Sequence, residues 1–380
     1  MLFDNYSAQE LESLLSKLIG FIRQGLHPSQ ISAELKLQDF DELLSIAKAR
    51  IKNNKDGKIQ TQGLFFTLDD LRFATNEIIA KYRAERLKCD TIVEVGCGIG
   101  IQTIAFAQTC KKVYAIDLDK RKLRYAIENA KVAGLSNITF IEGDSLSVVH
   151  QIPEANIVFC EPERLPEVKE RSLDELKPNI GELIKIYSSL TSDFCIELPP
   201  QLRSADIEGE REYVSVNGNL NRLLLYTGNL KKSLVSAVSL PGNHRLELQE
   251  GENLSPLPLA DEAMKYVFEV DAAIQKAGLA SKLGLNIYQL DKYVTSNSLI
   301  SNPFFKASFE IVWKGLHDPE KIISFLKQFG AGKVVLRAKV DPSKYWQERN
   351  RFEKSLLGDK LVHLFVVGEK AFIGLPSQLP

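Results

Sequence analysis

The stretch Thr91-Ile-Val-Glu-Val-Gly-Cys-Gly-Ile-Gly100 joins a short apolar run to a carboxylate and three glycines at alternate positions. Ile92, Val93 and Val95 suit a strand buried on both faces. Residues 102–108 suit a helix, so the order is strand, glycine turn, helix. With no Cβ at Gly96, Gly98 and Gly100, a ligand can lie against the backbone and the first helical N–H groups. A second strand over 112–116 ends at Asp117, close to the roughly 20-residue separation at which a carboxylate accepts from a ribose diol. These residues could hold a nucleoside. A dinucleotide site wants G-x-G-x-x-G for its pyrophosphate, whereas this turn reads G-x-G-x-G, with Glu94 two residues before the first glycine. A carboxylate aimed at the turn repels phosphates and suits a ligand carrying an amino group or a sulfonium. The alternative is a doubly wound fold that binds NAD, or nothing.

The glycine turn with its carboxylate resembles motif I of class I S-adenosylmethionine (SAM) methyltransferases. A third strand over 138–143 is followed by Asp144-Ser145, which that resemblance makes the adenine-edge position. It implies a cofactor site of Glu94, Gly96, Cys97, Gly98, Gly100, Asp117, Leu118, Asp144 and Ser145. A fourth apolar strand, 156–160, ends in Glu161-Pro162-Glu163-Arg164, and chemistry in an open α/β sheet sits beyond the carboxyl ends of its strands. Amino-methyltransferases place Asp or Asn, Pro, Pro and an aromatic there, so that oxygens accept from an exocyclic amine and the ring stacks on the base. Here Glu161 supplies an acceptor and Pro162 rigidity, but no aromatic follows.

Several further stretches are similar to successive signatures of class I methyltransferases with a C-terminal THUMP-like domain. They are Leu64 to Thr75, Tyr213-Val-Ser-Val-Asn-Gly218, Tyr266-Val-Phe-Glu269, and Asp271 through Gly278-Leu279. The family usually reads Asp-Pro-Ala-Arg where this chain has Glu-Pro-Glu-Arg, and Glu-Pro-Asp-Pro where it has Glu-Val-Asp-Ala. The resemblance also touches the trimethylguanosine synthase branch, whose target is a guanine amino group. It implies an α/β fold: a Rossmann-like, seven-stranded class I methyltransferase domain, an N-terminal helical module and a small C-terminal α/β THUMP-like domain. The catalytic residues it implies are Glu161, Pro162 and Arg164; burial would raise the pKa of Glu161, while Arg164 nearby would favour its charged form. Because THUMP domains bind RNA, chiefly the tRNA acceptor region, the implied partner is RNA such as tRNA.

Composition fits this reading. The chain has 380 residues, 44% of them hydrophobic, enough for two or three domains with a large core. No apolar run approaches the roughly 20 residues of a membrane span, and the N-terminus is no signal peptide, so a soluble, cytoplasmic protein is expected. Five cysteines without a C-x-x-C pair and five scattered histidines indicate neither disulfides nor a metal site. Net charge is −1, yet residues 301–380 hold 13 Lys and Arg against 8 Asp and Glu, a balance of +5. Lys333, Arg337, Lys339 and Arg351 are the candidate RNA contacts there.

Along the chain, 1–62 reads as helices ending in a polar linker at 52–63, 63–242 as the methyltransferase domain, 243–304 as a helical connector and 305–380 as the THUMP-like unit. Leu11, Leu14, Leu15, Leu18, Ile19 and Ile22 recur at helical spacing before Gly25. Thr67 and Thr75 are each placed to cap a helix. Phe65 and Phe66 either fill the core or line the pocket for cofactor or base. A long helix is expected over 260–283, and two Asp-Pro pairs, 318–319 and 341–342, are placed to open helices. Carbon methylation would need a cysteine nucleophile, for which Cys160 and Cys195 are placed by address. Protein or a small molecule remains the alternative substrate, and a SAM- and RNA-binding module without catalysis the alternative class.

Overall fold

In the computed structural model, which describes residues 2–164, 176–200, 207–254, 259–260, 262–288 and 293–377, the chain divides into two units. The first takes Met1–Glu210 and Leu224–Lys232, the second Arg211–Leu223 and Ser233–Pro380.

The first unit opens with helices α1 (Leu2–Asn5), α2 (Ala8–Arg23), α3 (Pro28–Leu35) and α4 (Phe40–Asp56). Ser7 and Glu10 form a reciprocal capping box at the start of α2, which buries Leu11, Leu15 and Leu18 on one stripe. Helix α4 runs to Asp56 before Gly57 ends it, five residues into the stretch expected to be linker. The reason is Asn53, which turns inward and exchanges two hydrogen bonds with the backbone of Ile59, at 2.7 and 2.9 Å. The rest of that stretch is pinned too, because the amides of Gln60 and Thr61 donate to Glu77 Oε2.

Two short helices follow, α5 (Leu68–Phe73) and α6 (Glu77–Arg86). Thr67 caps the first in a box with Asp70. Asn76, not Thr75, caps the second, which frees the Thr75 hydroxyl for another partner. The sheet then alternates with helices: β1 (Thr91–Val95), α7 (Ile101–Thr109), β2 (Lys112–Asp117), α8 (Lys120–Val132), β3 (Ile138–Glu142) and β4 (Ile157–Cys160). After a two-residue ribbon, β5 (Glu163–Arg164) with β6 (Leu176–Lys177), come α9 (Ile180–Tyr187) and β7 (Phe194–Leu198).

Strand β1 pairs in parallel with β2 and β4, β2 with β3, and β4 with β7. The order β7-β4-β1-β2-β3 makes β1 a central strand, and all five of its residues are buried. Chain progression reverses direction between β1 and β4, so a crevice opens at their carboxyl ends, where the glycine turn and Glu161 begin.

A hairpin, β8 (Glu210–Val216) and β9 (Asn219–Tyr226), contributes residues to both units. Asn217 and Gly218 both take positive φ, 51° and 73°, which is the two-residue turn whose twist matches a hairpin. In the second unit β10 (Val235–Leu240) runs parallel to β8, and β11 (His244–Leu248) antiparallel to β10.

The remaining elements build a second sheet. They are β12 (Leu259–Ala260), β13 (Tyr266–Val270), α10 (Ala272–Ala277), β14 (Asn286–Tyr288), β15 (Tyr293–Ser296), β16 (Phe305–Leu316), α11 (Pro319–Phe329), β17 (Ala331–Arg337), α12 (Tyr345–Glu353), β18 (Lys360–Val367) and β19 (Lys370–Pro376). Their strand order is β12-β14-β15-β13-β16-β19-β18-β17. The helix expected over 260–283 is therefore corrected: its middle is a strand gripped by β15 and β16, as the aromatic and β-branched run Tyr-Val-Phe-Glu-Val prefers. Only after Asp271 caps Ala273 does a short helix form. Asp318-Pro319 opens α11 as expected, and Gly330 closes it. Asp341 instead caps Ser343, and α12 starts at Tyr345.

Arg337, expected to face RNA, is committed within this sheet. Its Nη1 lies 2.7 Å from Glu269 Oε2, its Nε donates to His363 Nδ1 at 2.9 Å, and the guanidinium sits 4.9 Å from the Phe309 ring centre. Arginine can only donate, so His363 is neutral here and keeps its proton on Nε2. Burial and the neighbouring Arg337 push its pKa down to about 4. Arg337→Ala is expected to lower the stability of the second unit by about 2 kcal/mol, read from denaturant midpoints. An unchanged midpoint would mean that the ion pair is incidental.

Candidate functional site

The glycine turn is built by backbone bonds. The amides of Gly96 and Cys97 both donate to the carbonyl of Ile116, each at 2.9 Å, so the turn hangs on the end of β2. At Gly100, with φ of 86°, a Cβ would stand 3.0 Å from Ala126 Cβ, so this glycine allows α7 to close on α8. At Gly98, with φ of 55°, a Cβ would meet nothing within 4 Å. That open side is the room a ligand needs to approach the backbone. Asp117 fastens the turn from below: Oδ2 accepts from the Gly98 amide at 2.7 Å and Oδ1 from the Asp119 amide at 2.8 Å. Each oxygen keeps a lone pair for a hydroxyl. Burial raises the pKa of Asp117 despite those donors.

Of the other expected cofactor residues, Leu118 is 74% exposed directly after Asp117, and Cys97 is buried. Asp144 is exposed, and its side chain accepts from the Leu146 amide at 3.0 Å. The Ser145 carbonyl accepts from the Tyr187 hydroxyl at 2.8 Å.

Behind the turn lies a cluster of charges whose central member the sequence did not single out. Arg83 on α6 is fully buried. Its Nη2 pairs with Glu197 Oε2 at 2.7 Å, its Nη1 stands 3.6 Å from Glu161 Oε2, and its guanidinium lies 4.6 Å from the Phe159 ring centre. Burial opposes its charge, but Glu197 and then Glu161 outweigh that and raise its pKa. Its Nε and Nη1 have no hydrogen-bond partner among the described residues. Glu161 is further fixed by Thr75, whose hydroxyl donates to Oε2 at 2.9 Å. The cation that the described residues bring to Glu161 is Arg83. The Arg164 backbone pairs with Leu176, and its side chain lies outside the described residues. Pro162 is buried, and Glu163 instead pairs with Lys122 at 3.0 Å.

Glu94 is 2% exposed and accepts from the Thr103 hydroxyl at 2.6 Å. Burial, aided by Glu161 and Asp117, pushes its pKa up to about 8. Four carboxylates, Glu94, Asp117, Glu161 and Glu197, therefore surround the turn and its crevice with Arg83 buried among them. The surplus is negative, which suits a ligand with fixed positive charge and opposes a pyrophosphate. A cofactor carrying an adenosine, an ammonium and a sulfonium fits this donor and acceptor set.

Other expected residues lie elsewhere. Phe65 and Phe66 are 1% and 3% exposed. Phe65 packs edge-on against Phe3, and its amide donates to Asn129. Cys160 and Cys195 are fully buried, and burial raises the Cys160 thiol far above its ordinary range, so neither resembles an activated nucleophile. Lys333, Lys339 and Arg351 are exposed in the second unit. Among the described residues no group of three potential ligands could hold a metal, and no helix is long and apolar enough to cross a membrane.

Residues 89–229 match the family described as RNA cap guanine-N2 methyltransferase. An uncharacterized S-adenosylmethionine-dependent methyltransferase of Mycobacterium tuberculosis is 24% identical over 292 residues, covering 73% of this chain and 78% of that protein. Ribosomal protein L11 methyltransferase of Caldanaerobacter subterraneus subsp. tengcongensis is 31% identical over 152 residues, or 37% of this chain and 47% of that one. A crystal structure from Porphyromonas gingivalis W83, provisionally assigned as a methyltransferase, superposes with a TM-score of 0.77 at 15% identity, covering 99% of this chain and 100% of that one. The last match carries the fold. Taken with the site, these likenesses identify the chain as a SAM-dependent methyltransferase whose cofactor is S-adenosylmethionine.

Two outcomes follow from the geometry. Asp117→Ala removes the acceptor for two backbone amides and is expected to weaken SAM binding at least about tenfold, measured by calorimetry; a wild-type Kd would contradict the assigned role. Glu94 in the free protein holds its proton up to about pH 8, and a cationic ligand favours the ionised form. Binding therefore releases a proton, and affinity should tighten as pH rises from 6 to 8. Glu94→Gln should flatten that dependence, whereas a pH-independent wild-type Kd would remove Glu94 from the cofactor's surroundings.

Proposed function

We propose that the chain transfers the methyl group of SAM to a base nitrogen in RNA, with tRNA as the substrate. The observation that carries this reading is Glu161, a carboxylate at the end of β4 whose side chain is 26% exposed and held by Thr75 and Arg83. Its backbone carbonyl lies 3.3 Å from where a Gly96 Cβ would stand, so the acceptor and the cofactor turn share one crevice.

The bound cofactor supplies an electrophilic methyl group. Glu161 accepts a hydrogen bond from the exocyclic N–H of the base, orients the nitrogen lone pair, and takes the proton once the nitrogen has bonded to carbon. Arg83, 3.6 Å from that carboxylate, supplies the positive charge that compensates it. Pro162 stiffens the backbone beside it. The match to a family described by guanine N2 methylation supports an exocyclic amine as target.

The seven-stranded class I arrangement, with domains at 1–62, 63–242, 243–304 and 305–380, belongs to the same proposal. We assign RNA docking to the THUMP-like C-terminal part through Lys333, Lys339 and Arg351, all exposed. Arg164 remains a candidate for the substrate side of the site. A second reading, methylation of a protein amine, has support in the likeness to Ribosomal protein L11 methyltransferase.

The test is transfer of labelled methyl from SAM to total RNA and, separately, to total protein. Label is expected in a tRNA-sized RNA fraction. Glu161→Gln should lower the rate at least about 100-fold and leave the SAM Kd within about threefold; label confined to protein would discard the RNA reading. Neutralising Lys333 and Lys339 together should reduce the slope of log affinity against log salt by about 1.5. An unchanged slope would remove those residues from the docking face.

A further inference from the structure

The amino-methyltransferase pattern expects a ring just past Glu161-Pro162, and this chain has Glu163 and Arg164 there. The two adjacent phenylalanines before the cofactor fold do not fill the gap, because both are buried. The structure exposes a different ring. Phe73, the last residue of α5, is 69% exposed, and no other phenylalanine among the described residues is as open.

Its support is firm at both ends of α5. Thr67 and Asp70 cap the start, and Asp70 also takes two bonds from Arg121, at 2.7 and 3.0 Å. At the other end the Lys58 ammonium donates to the carbonyls of Leu71 and Arg72, at 2.7 and 3.0 Å. Two residues beyond Phe73, the Thr75 hydroxyl holds Glu161. Chain geometry alone then keeps the Phe73 Cα within about 12 Å of the Glu161 carboxylate. The Arg72 guanidinium stands 5.1 Å from the Phe73 ring centre, so a cation able to meet a phosphate is already beside the ring.

We infer that Phe73 is the stacking platform for the unpaired base whose amino group Glu161 receives. This rests on the RNA reading above. The tie through Thr75 couples the ring to the acceptor, so that one short segment sets both the plane of the base and the partner of its N–H. A ring on α5 replaces the one missing after Pro162. An aromatic face tolerates any base, so Phe73 contributes affinity and orientation while Glu161 selects the amine.

The experiment uses the full chain and total RNA carrying the acceptor. Variants Phe73→Ala, Phe73→Leu, Phe73→Tyr and Phe73→Trp are compared for kcat/KM of methyl transfer, SAM Kd and thermal midpoint. A 2-aminopurine-labelled oligoribonucleotide reports stacking by quenching without any turnover. The Ala and Leu variants should lose about tenfold or more in kcat/KM and lose the quenching. Tyr and Trp should stay within about threefold of wild type, and SAM Kd and thermal midpoint should hold in all four. RNA methylation undiminished in Phe73→Ala, or a Leu variant equal to wild type, would overturn this inference and leave the RNA reading standing. A wild type that labels no RNA and quenches no oligoribonucleotide would overturn both.

Discussion

A guanidinium with no water around it must find carboxylates, and Arg83 is such a group. Removing one partner of a buried ion pair typically costs about 3–5 kcal/mol, because the remaining charge is left uncompensated. Arg83 therefore fixes the helix that carries it, α6, against the ends of two parallel strands, through Glu197 on β7 and Glu161 just past β4. Phe159 beneath the guanidinium closes the arrangement. The proposed acceptor, Glu161, is thus located by the same interaction that joins helix to sheet.

The cofactor turn depends on this frame. Between β1 and β4 the strand order reverses, and the backbone of Glu161 faces Gly96 across that gap. Glu94 and Asp117 lie on the other side, both with raised pKa values because burial strips them of water. A polar site kept this desolvated in the free protein is strained electrostatically, and a cationic ligand relieves it. Stability and cofactor affinity are coupled through the same carboxylates.

Local chemistry was legible in the residues. The alternate glycines, the spacing to Asp117, the cap at Thr67 and the Asp318-Pro319 start all act within a few positions, and the structure has them. What depended on distant partners was not. Arg83 sits in an ordinary helical stretch, and only the fold brings Glu197, 114 residues later, to it. Thr75 looked like a cap because threonine often is one; Asn76 took that place, and Thr75 went to Glu161. The expected helix at 260–283 became β13 because two strands waited on either side. Arg337 looked like surface charge until Glu269 and His363 claimed it. Phe65 and Phe66 could be assigned to core or pocket from sequence, and burial decides for core.

The most direct test of a carboxylate acceptor beside the cofactor is the chemical identity of the methylated nucleoside. RNA treated with the wild-type enzyme and labelled SAM would be digested to nucleosides and resolved by mass spectrometry. The account predicts label on the exocyclic nitrogen of a base, absent from RNA treated with Glu161→Gln. Label on a ring carbon or a ribose oxygen, or an unchanged product from the Glu161 variant, would contradict it.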